Sequence, residues 1–135
     1  MDGESDISYS VESAHKTVHE ITEALTSELG KRGFGVLSTI NVKKIIKEKL
    51  GENLVEYVIL DVCSPKEAKK AIDAHREVGL VLPCKIVVYE GDGGKTKVSL
   101  YKPKEAIKVL GFTDLNPLAE RVEEVLKSAV DAVGS

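Results

Sequence analysis

"LVEYVILDVCSPKEAKKAIDAHREVGLVLPCKIVVYE", Leu54 to Glu90, is the stretch on which the fold turns. It opens with "LVEYVILDV", an aliphatic and β-branched run of strand length. "CSPKEA" follows, with Ser64 as an N-cap, Pro65 at the first helical position and Glu67 three residues beyond the cap, the pattern of a capping box with a proline start. The helix it begins sets Ala68, Ile72, His75 and Gly79 along one face, with Ala71 and Val78 beside it. "GLVLP" then leads into a second strand, "CKIVVYE". Two arrangements of these strands compete. A parallel pair joined by a right-handed crossover places Cys63 and Cys84 at opposite edges of the sheet. An antiparallel pair with the helix inserted between the strands places both at the same edge.

Upstream, "DISYSVE" alternates Ile7, Tyr9 and Val11 and predicts a first strand. Ser13 is the expected cap of a helix running to Leu29, with Ala14, Val18, Ile21, Leu25 and Leu29 on its apolar face and Gly30 and Gly33 as its stop. "GFGVLSTI" predicts a strand and "NVKKIIKEKLG" a short helix with Asn41 as cap and Gly51 as stop. Downstream, "GDGG" closes a hairpin onto "KTKVSLYK", "PKEAIKVLG" follows, and Asn116 and Pro117 start a last helix with Leu118, Val122, Val125 and Ala129 as its stripe. The whole of 1–135 is expected to be one domain, loose at 1–5 and 133–135. Five strands and four or five helices in this order fit an α+β or α/β sandwich with helices on one side of a sheet.

The 135 residues carry a formal net charge of -3, with 42% hydrophobic and 30% charged residues and no Trp. An acidic balance with few rings argues against nucleic-acid partners, which need a basic face and stacking platforms. Lys43, Lys44, Lys47 and Lys49 are interrupted at helical spacing by Ile45, Ile46 and Leu50, as on a solvated helix face. The acidic "MDGESDISYS" has no secretory pattern, and no apolar run is long enough for a membrane span. The expectation is a soluble cytoplasmic protein with reduced cysteines and no membrane partner. The absence of Gln beside abundant Lys and Glu leans towards a thermophilic source.

"KRGFGVLSTINVKKIIKEKLG", "ILDVCSP" and above all "GLVLPCKIVVYE" resemble the domain-of-unknown-function 302 family, small proteins of TT1751-like fold, from about Ile7 to the C-terminus. The resemblance implies an α+β fold, TBP-like in outline, with a mainly antiparallel five-stranded sheet and helices packed on one face. It also implies a homodimer and no established activity, and it favours the antiparallel arrangement. The family pattern has Asn at the positions of Ser64 and Lys85, so amides there are not shared by this chain.

Cys63, Ser64, Pro83 and Cys84 form the candidate ligand or thiol site. Cys63 precedes a helix N-terminus, whose partial positive charge favours a thiolate, so it is expected to react before Cys84. The competing reading makes both cysteines small hydrophobes packed at strand ends. His15 and His19, spaced i, i+4 with Glu12 and Glu23 nearby, are weak metal candidates; exposed His and Glu on a helix are more often solvated surface, and no metal or other cofactor is assigned. His75, on its helix's apolar face, reads as a satisfied core or interface residue. "GDGG" joins two strands and lacks the Gly-Lys-Ser/Thr of a phosphate loop, and "GFGV" enters a strand where a cradle needs a helix. No residue is assigned to catalysis. These observations favour a dimeric binding or interaction module without chemistry of its own. The alternative is a thiol-dependent redox, sulfur-handling or soft-metal protein using Cys63 and Cys84.

Overall fold

The computed structural model describes residues 5–134. In chain order the elements are β1 (Ser8–Ser13), α1 (Val18–Gly30), β2 (Gly35–Asn41), α2 (Val42–Leu50), β3 (Tyr57–Cys63), α3 (Pro65–Ala74), β4 (Cys84–Glu90), β5 (Thr96–Tyr101), α4 (Pro103–Leu110) and α5 (Asn116–Val133). Short 3-10 turns occupy Arg76–Val81, Asp92–Gly94 and Thr113–Leu115. The strands form a five-stranded sheet in the order β1-β5-β4-β3-β2, and each neighbouring pair is antiparallel. The antiparallel arrangement of β3 and β4 is therefore the one adopted, and the fold is α+β.

Alternation along the strands decides which side is core. Val58, Leu60 and Val62 of β3 lie opposite Val88, Ile86 and Cys84 of β4, and Val98 and Leu100 of β5 continue the same face. α1 covers this face with Val18, Ile21, Leu25 and Leu29, and α5 with Val122, Leu126, Ala129, Val130 and Val133, all buried in one cluster with the strands. Twelve or more aliphatic side chains removed from water at about 1.5–3 kcal/mol each supply the main term opposing chain entropy. A second cluster joins α3, α4 and α5 through Ala71, Ile107, Leu115 and Ala119, with Val78 from the turn after α3. Ile72, expected on the apolar face of α3, is instead 43% exposed, because the helix ends at Ala74 and the face that packs runs through Ala71.

Local chemistry accounts for the boundaries. Asn41 accepts a hydrogen bond from the Lys44 N–H at 3.0 Å, and Gly51 closes α2 with φ 67°, a left-handed conformation that suits glycine. α1 starts later than its sequence predicts. Thr17 is the cap, bonded to the Glu20 N–H at 3.1 Å while Glu20 returns a bond to the Thr17 N–H at 2.9 Å. Ser13 is the last residue of β1, and its hydroxyl accepts from the Lys16 N–H at 3.2 Å, which bends the chain into the turn that Ala14 and His15 occupy.

Both ends of the described chain make specific contacts. Ser5 bonds to Ser8 and its carbonyl accepts from Lys102 Nζ at 2.7 Å. Val133 is buried, and a Cβ on Gly134 would fall 2.4 Å from a Val11 methyl. Residues 1–4 and 135, also expected to be loose, lie outside the described residues.

Candidate functional site

The last residue of β3 and the first of β4 lie at the same end of the sheet, as the antiparallel topology requires. Their register positions differ. Cys84 lies opposite Val62 and shares its core face, whereas Cys63, one residue on, lies opposite Gly35 of β2 and shares the parity of Tyr57, Ile59 and Asp61. The Leu82–Pro83 peptide that leads into Cys84 is cis.

Between this end of the sheet and helices α3, α4 and α5 lies an open-mouthed cavity of about 40 Å³. Phe34, Val62 and Cys84 wall it on the sheet side, Ala71, Ile107 and Leu118 on the helix side, and Cys63, Ser64 and Glu67 border it. Apart from Glu67 and the Ser64 hydroxyl, the side chains around it are apolar or thiol.

Both thiols are held protonated. Burial pushes the Cys63 thiol up, and burial followed by the charge of Cys63 pushes Cys84 up to about 12. Burial thus shifts Cys63 against the direction expected from its place before α3. The capping box expected there is also absent. Ser64 occupies the cap position and Pro65 the first turn, yet the Ser64 side chain makes no cap bond. Glu67 turns to α5, where Arg121 grips it through Nη2 at 2.8 Å and Nε at 3.2 Å. A bidentate, charge-assisted pair outcompetes a single backbone N–H. The Arg121 bonds hold the Glu67 carboxyl below its ordinary range, so it is ionised beside the cavity.

His15 and His19 do not share a helical flank. His15 precedes the Thr17 cap, while His19 is on α1, exposed, with Nε2 2.6 Å from Glu23. Among the described residues no group of three or more His, Cys, Asp or Glu side chains is placed to hold a metal ion. His75 stacks on Phe112 with ring centroids 4.0 Å apart, and its Nε2 lies 2.8 Å from Asp114 Oδ1. It ties the end of α3 to the connection between α4 and α5, the satisfied role its sequence position suggests.

Sequence reasoning missed the outer face of the sheet. There Ile40, Ile59 and Val87 form a row across β2, β3 and β4, and Tyr57 stacks on Tyr89 with centroids 5.3 Å apart. Ser38, Asp61 and Lys85 form the next row, with Ser38 Oγ donating to Asp61 Oδ2 at 2.5 Å and Lys85 Nζ donating to Oδ1. All five apolar or aromatic residues are half-buried, and α2 contributes no buried residue. The signal was present in "YVIL" and "IVVY". Apolar residues at consecutive positions mark strands covered on both faces, whereas a one-sided sheet alternates with polar residues.

No helix among the described residues is long and apolar enough to cross a membrane. The family model described as "Domain of unknown function DUF302" matches residues 9–133. A crystal structure titled as an uncharacterized conserved DUF302 protein from Bacillus stearothermophilus is similar at 33% identity and a TM-score of 0.87, over 94% of this chain and 98% of that one. No curated protein matches.

Proposed function

We propose that this chain, a member of the DUF302 family, is a cytoplasmic, homodimeric binding module without catalysis of its own, in which two copies meet through the outer face of the sheet and the thiol-bordered cavity on the other side remains free for a ligand. One observation carries the reading: β3 and β4 are apolar on both faces, and the helices α1 and α5 cover only one. A second copy suits the other face because a two-fold pairing sets each surface on itself. The Ile40, Ile59 and Val87 row supplies the apolar centre, and Asp61 beside Lys85 supplies both signs of charge at its margin. Light scattering tests this. The wild-type chain should return twice the mass of one chain, and Val87→Lys should return a single mass with unchanged far-ultraviolet circular dichroism. A wild-type chain of single mass at submillimolar concentration overturns the proposal.

The thiol-dependent reading draws on one observation, that Cys63 and Cys84 border the same cavity. Two thiols that burial holds protonated weigh against it. A disulfide formed between them under mild oxidant, with no change of fold, would restore it.

A further inference from the structure

The cavity between the end of the sheet and α3, α4 and α5 is bordered by both cysteines of the chain, and its size and donors name what it can hold. At about 40 Å³ it has room for little more than one water molecule, whose share of liquid volume is roughly 30 Å³. An organic ligand of any length is thereby excluded, and a single ion is not. Among the described residues lining it, Glu67 is the one charged group, and two bonds from Arg121 already engage its carboxylate. The donors left for an ion are the sulfurs. Cys63 ends β3 and Cys84 opens β4 at the same end of the sheet, near enough for the charge of one to bear on the other. Donor number and softness then select the metal. Zinc and iron–sulfur centres take four ligands, and no group of three or more His, Cys, Asp or Glu side chains is so placed among the described residues. Two thiolates suit Cu(I), a soft ion that sulfur ligands select and that is satisfied by two donors in line.

We propose that the cavity holds one Cu(I) ion between the sulfurs of Cys63 and Cys84. The inference rests on the reading of the chain as a binding module and names the ligand of its cavity. Each thiol gives its proton to solvent as its sulfur takes the metal, so two protons leave for one ion and no electron is transferred. A protonated thiol is a poor free nucleophile, which counts against redox work, but a soft metal displaces the proton as it binds. The aliphatic walls, Val62, Ala71, Ile107 and Leu118 among them, supply no third donor. The two-thiolate ion carries one negative charge, and α3 begins beside Cys63 without a side-chain cap, so the partial positive charge of its first turn is available to offset it.

The test is anaerobic titration of the reduced full chain with Cu(I), in competition with bicinchoninate. One equivalent per chain should bind, with about two protons released at neutral pH and two sulfur neighbours in the X-ray absorption spectrum. Cys63→Ser and Cys84→Ser should each lose at least about a hundredfold in Cu(I) affinity, the upper end for a change that only touches a ligand's partner, with unchanged far-ultraviolet circular dichroism. Ala68→Leu keeps both thiols and fills the cavity from α3, so it tests the site even where a serine variant fails to fold, and it should lose at least about tenfold. Zn(II) should bind at least about a hundredfold more weakly than Cu(I). Undiminished affinity in any of the three variants, release of one proton per ion, or Zn(II) binding as tightly as Cu(I) would overturn the site. Half an equivalent per chain would place the ion between copies and would overturn it as well. None of these results bears on the mass of the metal-free chain, which decides the dimer.

Discussion

Alkylation of the folded protein at pH 8 with limiting iodoacetamide should label Cys63 and leave Cys84 nearly untouched. A thiol at its ordinary value of 9.0 is about one-tenth thiolate at that pH, whereas Cys84 at about 12 is about one part in ten thousand, a difference of about a thousandfold. Part of this is returned because a more basic thiolate is a better nucleophile. With a Brønsted slope of about 0.45, three units recover about twentyfold, so acidity alone slows Cys84 by about 40-fold. Its place on the core face opposite Val62 slows it further. Cys63 is shifted in the same direction by burial alone, so its rate should climb only as pH passes the range of a free thiol. Peptide mass spectrometry across a series from pH 6 to 10 reads both rates. Labelling of Cys84 within a few-fold of Cys63, or a Cys63 rate already at half its maximum below pH 8, would refute the reasoning that burial raises both thiols, Cys84 the more.

Glu123 is buried on α5, where Oε1 accepts the Lys104 N–H at 3.0 Å and Oε2 lies 3.3 Å from Lys127 Nζ. Glu123→Ala should cost about 2–3 kcal/mol, a fall in Tm of about 10 °C by calorimetry, and Glu123→Gln about half as much because it keeps an acceptor. A loss below about 0.5 kcal/mol for the alanine variant would contradict that role. Asp61 is held below the ordinary carboxylate range by its bond from Lys85 and then by that from Ser38. A depressed carboxyl contributes stability that is present above its unfolded value, near 3.8, and lost as pH falls through the folded one. Asp61→Asn should therefore flatten part of the decline in urea midpoint below about pH 4 and cost about 1 kcal/mol or less at pH 7. An acid limb of unchanged slope would count against it.

What was legible in the sequence was what neighbouring residues decide. Asn41 and Gly51 bracket α2 and Pro65 starts α3, each a local matter of capping or backbone freedom. The start of α1 failed because Ser13 and Thr17 offer the same chemistry four residues apart, and one forms a turn while the other caps. The Ser64 capping box failed for a different reason. Its Glu67 is taken by Arg121, 54 residues away, and no local pattern foretells a partner at that distance. α4 shows the converse: Lys102 stands at its cap position without a side-chain cap bond, and the acceptor for its first turn comes from Glu123 on α5. Sequence left open whether β3 and β4 run parallel, since a helix can join either pair. The antiparallel register then brings Cys63 and Cys84 to one end of the sheet, where both border the same cavity.

The pairing of two copies through the outer face of the sheet can be read on a mixed sample of isotope-labelled and unlabelled chains, by filtered nuclear Overhauser spectroscopy that records contacts between copies only. Intermolecular contacts are expected at the Ile59 and Val87 methyls and the Tyr57 and Tyr89 rings, which share that face. Intermolecular contacts arising from other surfaces, or none at all from this face in a sample whose mass is that of a dimer, would contradict it.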